Sequence, residues 1–432
     1  MKRPGRVALT WRALGVLGRV ATGTVVGFSG AAAVAARRGR PAARRELARQ
    51  VTRLVIRLGP TFIKAGQILG TRRDVLPPIL CDELSALRDD VPPLSQKRSR
   101  EALAQVYGAQ LDSVFASVDY AAVAAGSIAC VYRATMRDGA DVAVKLQRPG
   151  IGPLMTADLA LIRRGAAVVA RLPAFRGMPV REIVDQLCEA VLGQLDFDRE
   201  ADSLERLRAN LTVLSRVRVP RVRPDASRSA CIVMEFVPDL DITTADRCSV
   251  VGRREFAAST LNAMYQMLFI NGFVHCDLHP GNLYFLSTGR VVVLDAGFSV
   301  QLSDRMRRLF ADFFLNMSIG RGRRCAQIVL DSAVGLRAGA DVEGFTTGMA
   351  DLVERNFGVP AKEFSLIAFA TEMFELQRGY GIAATPELVF PLLSLLVIEP
   401  TVRDLDPDVD FQAVAKPVLN QAVFGSATVQ VT

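Results

Sequence analysis

Both histidines of this 432-residue chain lie in one string, His275-Cys276-Asp277-Leu278-His279-Pro280-Gly281-Asn282. Asp277 and Asn282 stand five apart, the spacing of the base Asp and metal-binding Asn in phosphoryl-transfer catalytic loops. Thirteen residues beyond Asn282 comes Asp295-Ala296-Gly297, behind the apolar run Val291-Val292-Val293-Leu294. A strand that delivers an Asp-x-Gly supplies an oxygen ligand for Mg²⁺ at nucleotide phosphates. The competing chemistry is a zinc pair, since two His four apart can share a helix face. Pro280 and Gly281 oppose a continuing helix there, and no Glu adjoins the first His, so zinc is set aside.

Other elements must position these groups. Asp138-Gly139 signals a hairpin turn, and Val142-Ala143-Val144-Lys145 follows as a strand ending on a lysine suited to the α- and β-phosphates. A helical Glu must hold that lysine. The helix expected over about 180–210 offers Glu182, Glu189, Glu200 and Glu205. Met234-Glu235-Phe236-Val237 is a candidate hinge, where backbone groups at Glu235 and Val237 would meet adenine. Each signal alone is weak. Their order along the chain is specific, and it predicts an α+β, two-lobed protein-kinase-like fold.

Composition bounds the rest. Half the residues are hydrophobic, so the chain folds, and its length allows two or three structural units. Seven Cys with no C-x-x-C pair argue against a disulfide framework and for a reducing compartment. Cys276 beside Asp277 and Cys130 are read as small buried hydrophobes, with redox sensitivity as the minor alternative. The net charge of +9 is unevenly placed: residues 1–57 carry thirteen Lys and Arg against Glu46 alone. Such a segment suits anionic lipid or nucleic acid. No stacking-aromatic pattern accompanies it, which favours lipid. Residues 20–36 are uncharged and small, just short of a usual span of about 20 residues. An inserted helix, a membrane-surface helix and a packed soluble helix all stay open for them. Helices are expected over 45–70 with a break at Gly59-Pro60, between Pro77-Pro78 and Pro92-Pro93, and from Ser99 to Tyr107. The expected division is a basic segment 1–57, a helical extension 58–117, a small lobe 118–237 and a mainly helical large lobe 238–432.

Four segments together resemble the UbiB/AarF family of atypical kinases, which includes the coenzyme Q kinase-like proteins. Lys64-Ala65-Gly66-Gln67 looks like the family's K-x-G-Q extension. Ala121 to Arg133 is similar to the Ala-rich loop that replaces a Gly-rich loop, with Ala125, Gly126 and Ser127 at its turn. Gln194-Leu195-Asp196-Phe197-Asp198-Arg199-Glu200-Ala201 is similar to E-x-D-F-x-x-E-A. His275 to Asn282 matches H-x-D-x-H-P-G-N.

The resemblance implies roles by position. Lys145 would contact phosphate and pair with Glu200. Asp277 would take the catalytic position, with Asn282 and Asp295 holding Mg²⁺ beside ATP. Lys64 and Gln67 would project from the extension into the nucleotide site, with Asp196 nearby. That extension would fill the place of a peptide substrate, which favours ATP hydrolysis or small-molecule or lipid-linked activity over protein phosphorylation. The implied setting is isoprenoid-quinone metabolism, with lipids or proteins of that route as partners, at the inner face of the cell membrane. The chain departs from the pattern at Gln194, which replaces a carboxylate with an uncharged amide, and at Ala296, where many kinases carry an aromatic. Two other functions stay open: a nucleotide-gated scaffold with little turnover, and a small-molecule phosphotransferase.

Overall fold

The structure is a computed structural model that describes residues 6–72, 76–87, 91–171, 180–241, 243–383 and 386–425. The chain divides into two compact units. The first comprises residues 1–201 and 222–236, and the second comprises 202–221 and 237–432.

The first unit opens with a helix, α1 (Arg6–Leu58), interrupted at Gly39, whose φ of 81° only a residue without Cβ adopts readily. There the chain doubles back. Arg12 Nη2 donates to Leu58 O at 2.7 Å and Arg19 Nη1 to Arg57 O at 3.0 Å, so the two arms run side by side. Leu14, Leu17 and Ile56 remain exposed on them. Among the described residues, no helix is long and apolar enough to cross a membrane. Gly59 separates α1 from α2 (Pro60–Thr71), as expected, and α3 (Pro78–Ser85) follows. Gly66 and Gly70 form the face of α2 toward α3. A Cβ on Gly66 would meet Leu87 at 2.7 Å, and one on Gly70 would meet the Ser85 backbone at 2.7 Å. Gly70 is needed for close helix packing because its clash is with backbone, whereas at Gly66, the Gly of K-x-G-Q, the tip of the Leu87 side chain would have to give.

α4 (Gln96–Tyr107) is capped by the Ser95 hydroxyl, which accepts from the Arg98 N–H. A single turn, α5 (Leu111–Val114), leads into the sheet. Its strands are β1 (Phe115–Val118), β2 (Ala124–Ala125), β3 (Ala129–Met136), β4 (Asp141–Gln147) and, later in the chain, β6 (Cys231–Glu235). The order is β1-β3-β4-β6, all antiparallel, with β2 against β3. Side chains alternate across a strand. Val142, Val144 and Leu146 thus join Cys130, Tyr132 and Ala134 in a core that α4 closes with Leu103 and Tyr107. Each such fully buried side chain contributes roughly 1.5–3 kcal/mol. The Tyr132–Ser99 hydroxyl bond of 2.7 Å adds about 1 kcal/mol. Apolar burial thus dominates, while the hydroxyl pair fixes register. Lys145, one residue out of phase with Val144 and Leu146, points to the other face.

Three helices complete this unit: α6 (Ile151–Val169), α7 (Val180–Gly193) and the start of α8 (Phe197–Leu211). Sequence reasoning overlooked α6, although Met155, Leu159 and Ala166 repeat at helical steps and are buried. It also merged α7 and α8 into one helix. The chain breaks at Gln194 to Asp196 because Asp196 caps α8, its Oδ1 accepting from the Arg199 N–H at 3.0 Å. Asp158 of α6 is fully buried. Its carboxylate accepts from Arg12 Nε at 3.0 Å, Arg12 Nη2 at 2.9 Å and the Thr61 hydroxyl at 2.8 Å. One carboxylate thereby ties α1, α2 and α6 together.

The second unit carries β5 (Val217–Arg218), then α9 (Val250–Tyr265), which runs into a π-helical turn at 266–271. Four short strands follow: β7 (Phe273–His275), β8 (Leu283–Phe285), β9 (Val291–Val293) and β10 (Ser299–Gln301). β7 pairs with β10, and β5-β9-β8 form a second small sheet. The remainder is helical: α10 (Asp304–Ser318), α11 (Gly322–Ser332), α12 (Val342–Asn356), α13 (Leu366–Gly379), α14 (Pro386–Leu405) and α15 (Phe411–Phe424), with a minor β11–β12 pair at Gly335–Leu336 and Ile382–Ala383. Its core stacks Tyr265 on Phe269 and packs Phe269 against Phe310 and Phe314. All seven cysteines are free, and six are buried, Cys248 being the partly exposed one.

Candidate functional site

In the first unit, β4 and α8 position the lysine and its partner. Lys145 Nζ lies 2.5 Å from Glu200 Oε1, and the Glu200 side chain is 1% exposed. Of the four Glu considered, Glu200 is the one paired with Lys145. The break before α8 makes this possible: with Asp196 at the cap, Glu200 falls in the first turn, and the Glu200 N–H donates to Asp196 O at 3.0 Å. A carboxylate near a helix N-terminus is also favoured by the helix dipole. The Lys145 ammonium sits 5.4 Å from the centre of the Phe197 ring, a further attraction for a partly desolvated cation. Asp196 thus acts in this chain as a cap, and Gln194 is buried immediately before it.

The Ala-rich loop is a tight turn between β2 and β3. The Gly126 N–H donates to Ala129 O at 2.8 Å. Arg148 Nε donates to Gly126 O at 2.7 Å, and the Arg148 N–H donates to Ile128 O at 2.8 Å. Ser127 is buried and Ala125 is half-buried on β2. In the extension, Lys64 is half-buried on α2, and the Gln67 amide donates to Leu87 O at 3.1 Å. Glu235 ends β6 opposite Val142, and the chain passes from one unit to the other between Phe236 and Val237, within the segment read as a hinge.

In the second unit the histidine string forms no helix. His275 ends β7, and His279 lies in the loop that leads to β8. His275 Nδ1 accepts the Asp277 N–H at 3.1 Å, while Nε2 makes a very short contact with Asp295 O. With Nδ1 accepting, the proton belongs on Nε2, which donates to that carbonyl. One neutral imidazole therefore fastens the backbone of Asp277 to the backbone of Asp295. Burial pushes the His275 imidazole below its ordinary value of 6.5, against the pull of Asp295 and Asp277. The sign follows from linkage. The unfolded chain takes up a proton near pH 6.5 and the folded one resists it, so this contribution to stability is intact above about pH 6.5 and declines as pH falls below it. Chemical-denaturation midpoints measured from pH 7.5 to 5.5 should fall in the native protein more steeply than in His275→Asn. Parallel curves would show that His275 is not the group responsible.

Asn282 is similarly constrained. Its Nδ2 donates to Asp277 O at 2.9 Å, its N–H donates to His279 O at 2.8 Å, and its O accepts from the Leu294 N–H at 2.8 Å. The donation by Nδ2 leaves Oδ1 as the oxygen that can accept or ligate. Asp295 holds a left-handed φ of 55°, uncommon outside Gly, and its Oδ1 accepts from the Gly297 N–H at 2.9 Å. Such strained residues cluster at functional sites. His279 Nδ1 accepts from the Gly281 N–H at 3.0 Å, and its Nε2 lies 3.9 Å from the Asp277 carboxylate. The Cys276 thiol is pushed far up by burial, with the Asp277 charge adding to the effect.

Among the described residues, no three His, Cys, Asp or Glu side chains gather into a metal cage. Asn282 and Asp295 each carry an oxygen of the kind Mg²⁺ takes, and Mg²⁺ is commonly bound through one or two protein oxygens together with substrate phosphates.

Residues 86–329 match the ABC1 atypical kinase-like domain and residues 349–410 the UbiB helical domain. A probable protein kinase UbiB from Pseudomonas putida is 34% identical over 87% of this chain and 72% of its own length. A probable protein kinase UbiB from Vibrio vulnificus is 31% identical over 84% of this chain and 68% of its own. The Rv3197–erythromycin complex from Mycobacterium tuberculosis shares the fold at a TM-score of 0.61 and 21% identity, covering 78% of this chain and 85% of that one. With the ABC1 domain spanning more than half of its length, the chain belongs to the UbiB/ABC1 family of atypical kinase-like proteins.

Proposed function

We propose that this protein binds ATP with Mg²⁺ and transfers or hydrolyses the γ-phosphoryl group, acting as an atypical kinase or ATPase on a small or lipid-linked acceptor. The observation that carries this reading is the Lys145–Glu200 ion pair, 2.5 Å long and largely withdrawn from water. A buried ion pair is costly to build and is poor evidence for stability alone. A lysine held by an α8 carboxylate on the face of the sheet away from the α4 core is suited to phosphate oxygens. Mg²⁺, when bound, neutralises charge on the phosphate oxygens. Asn282 Oδ1 and the Asp295 carboxylate are the groups that would hold it. The Asp277 carboxylate, partly exposed and steadied by His275 through its own backbone, would orient the acceptor oxygen and take its proton. The test is phosphate release from ATP with and without Mg²⁺, repeated in Lys145→Met. Turnover that ignores both the metal and Lys145 would refute the proposal.

A second reading, a nucleotide-gated scaffold, is favoured by one residue: the buried Gln194, which stands where the family pattern carries an acid. It expects ATP and Mg²⁺ to raise the melting temperature without product. Single-turnover phosphate release would eliminate it.

We further propose that the protein works at an anionic membrane surface, in isoprenoid-quinone or other lipid metabolism. The support is the basic arm of α1, which exposes Leu14 and Leu17 beside Arg19 and brings Ile56 alongside on the returning arm. Apolar side chains flanked by Arg suit a headgroup–acyl boundary. Co-sedimentation with phosphatidylglycerol vesicles should be strong at low salt and weaken steeply toward 0.5 M NaCl. It should vanish on deleting residues 1–40. Binding that survives the deletion would remove α1 as the contact.

A further inference from the structure

Helices α10, α11, α13 and α14 enclose a cleft whose lining includes none of the phosphoryl-transfer residues. Phe310, Phe313, Ile328, Met373, Phe374 and Leu392 make its walls. The room for a guest is about 50 Å³, within a half-open cleft whose empty space, counted out to solvent, is about 470 Å³. Among the described residues, no charged side chain lines it. Two polar residues do, Ser332 and Gln377, which are 7% and 6% exposed. The Ser332 hydroxyl donates to Val329 O at 2.8 Å, which leaves its lone pairs free to accept. Among the described residues, the Gln377 amide has no hydrogen-bond partner. Its polar atoms are not among the fully buried unpaired ones, so they reach the open side of the cleft, where a ligand oxygen could take the place of water.

We propose that this cleft binds the hydrocarbon chain of a neutral amphiphile, with a hydroxyl or carbonyl of the ligand hydrogen-bonded to Gln377. Three observations carry this. The lining is aromatic and aliphatic, as in small-molecule sites, with a few placed polar groups that fix orientation. The absence of charge in the lining disfavours an ionised ligand, whose desolvation nothing would offset. The size favours a chain over a ring: an apolar cavity of about 150 Å³ accommodates benzene, and the room for a guest here is about a third of that. A chain end, straight or branched, fits more readily than a ring. The polar end of the ligand then lies toward the opening.

The experiment is methyl NMR on the full chain labelled at its methionines, with Met373 assigned through Met373→Leu and 1-decanol or geraniol as the probe. Met373 should report saturable binding, while methionines elsewhere stay fixed. Tighter binding of geraniol would identify a branched prenyl chain, and tighter binding of decanol a straight acyl-like chain. Either result supports the cleft. Gln377→Leu, nearly equal in volume, should weaken decanol about fivefold, the loss of one neutral hydrogen bond. Leu392→Trp should abolish the Met373 response, and its near-ultraviolet circular dichroism checks that it folds. A Met373 signal that does not move, or a uniform drift of every methionine signal, overturns the proposal. The first outcome would mean that water alone satisfies Gln377. The second would mean that the probes merely partition. ATP turnover enters neither readout, so this result stands apart from the phosphoryl-transfer reading.

Discussion

Asp277→Asn and Asp295→Asn are each expected to lower Mg²⁺-dependent ATP turnover by about a hundredfold or more, for different reasons. Asp277 would act in proton transfer, where a positioned acid or base contributes about 10²–10⁴ in rate. Its side chain makes no bond on which the loop depends, because the loop is fastened through the Asp277 N–H to His275 and through Asp277 O to Asn282. Asp277→Asn should therefore keep both nucleotide affinity and melting temperature while losing turnover. Asp295 would hold the metal, so its variant should also weaken the dependence of nucleotide binding on Mg²⁺. The Asp295 carboxylate also accepts from the Gly297 N–H, and an Asn oxygen can keep that bond. Calorimetric titration of ADP with and without Mg²⁺, beside steady-state turnover, separates the two. Equal turnover in all three proteins would show that these aspartates are not the reacting set.

Arg12→Met is expected to cost the first unit about 3 kcal/mol, the low end for breaking a buried ion pair from one side. Asp158 is wholly buried, whereas the Arg12 side chain keeps 24% exposure, so water offsets part of the loss. The variant leaves the Asp158 carboxylate with the Thr61 hydroxyl alone and frees Leu58 O from its donor. The double change Arg12→Met with Asp158→Leu should recover most of the loss, because an apolar replacement of both partners removes the stranded charge. Denaturant melts of the three proteins measure this directly. A single variant as stable as the native protein would show that the α1 arm does not rest on Asp158. The bond network also implies that loosening α1 disturbs the start of α2, where Thr61 shares the same carboxylate three residues before Lys64.

The parts of the fold that read well from sequence were those with a local cause. Gly59-Pro60 ended one helix and began another. Alternation in Val142 to Leu146 announced β4, and the Asp138-Gly139 turn fixed its start. The break between α7 and α8 was missed because Gln194-Leu195-Asp196 continues the apolar periodicity. Only the capping bond of Asp196 shows that the helix restarts there. That same break decides which Glu meets Lys145, so four candidates could not be reduced to one by periodicity, and the family resemblance supplied the choice. His275 was legible as part of the catalytic-loop string. Its role in joining the Asp277 and Asp295 backbones depends on β7 lying beside β10, a pairing of residues more than twenty apart in sequence. The Gly of K-x-G-Q was legible as a motif, whereas its close approach to Leu87 is a tertiary fact.

The burial of six of the seven cysteines bears on how the protein fails as well as how it stands. In the native chain those sulfurs are shielded, and burial holds Cys231 and Cys325 up at about 12 and Cys276 higher still. Heating releases them together into water, where a thiol near its ordinary pKa of about 8.5 is partly thiolate at mildly alkaline pH. Air then converts a reversible melt into a crosslinked aggregate. Cooling scans should regain the native signal in the presence of a phosphine reductant and lose it without one, so that apparent heat resistance depends on the redox state of the buffer.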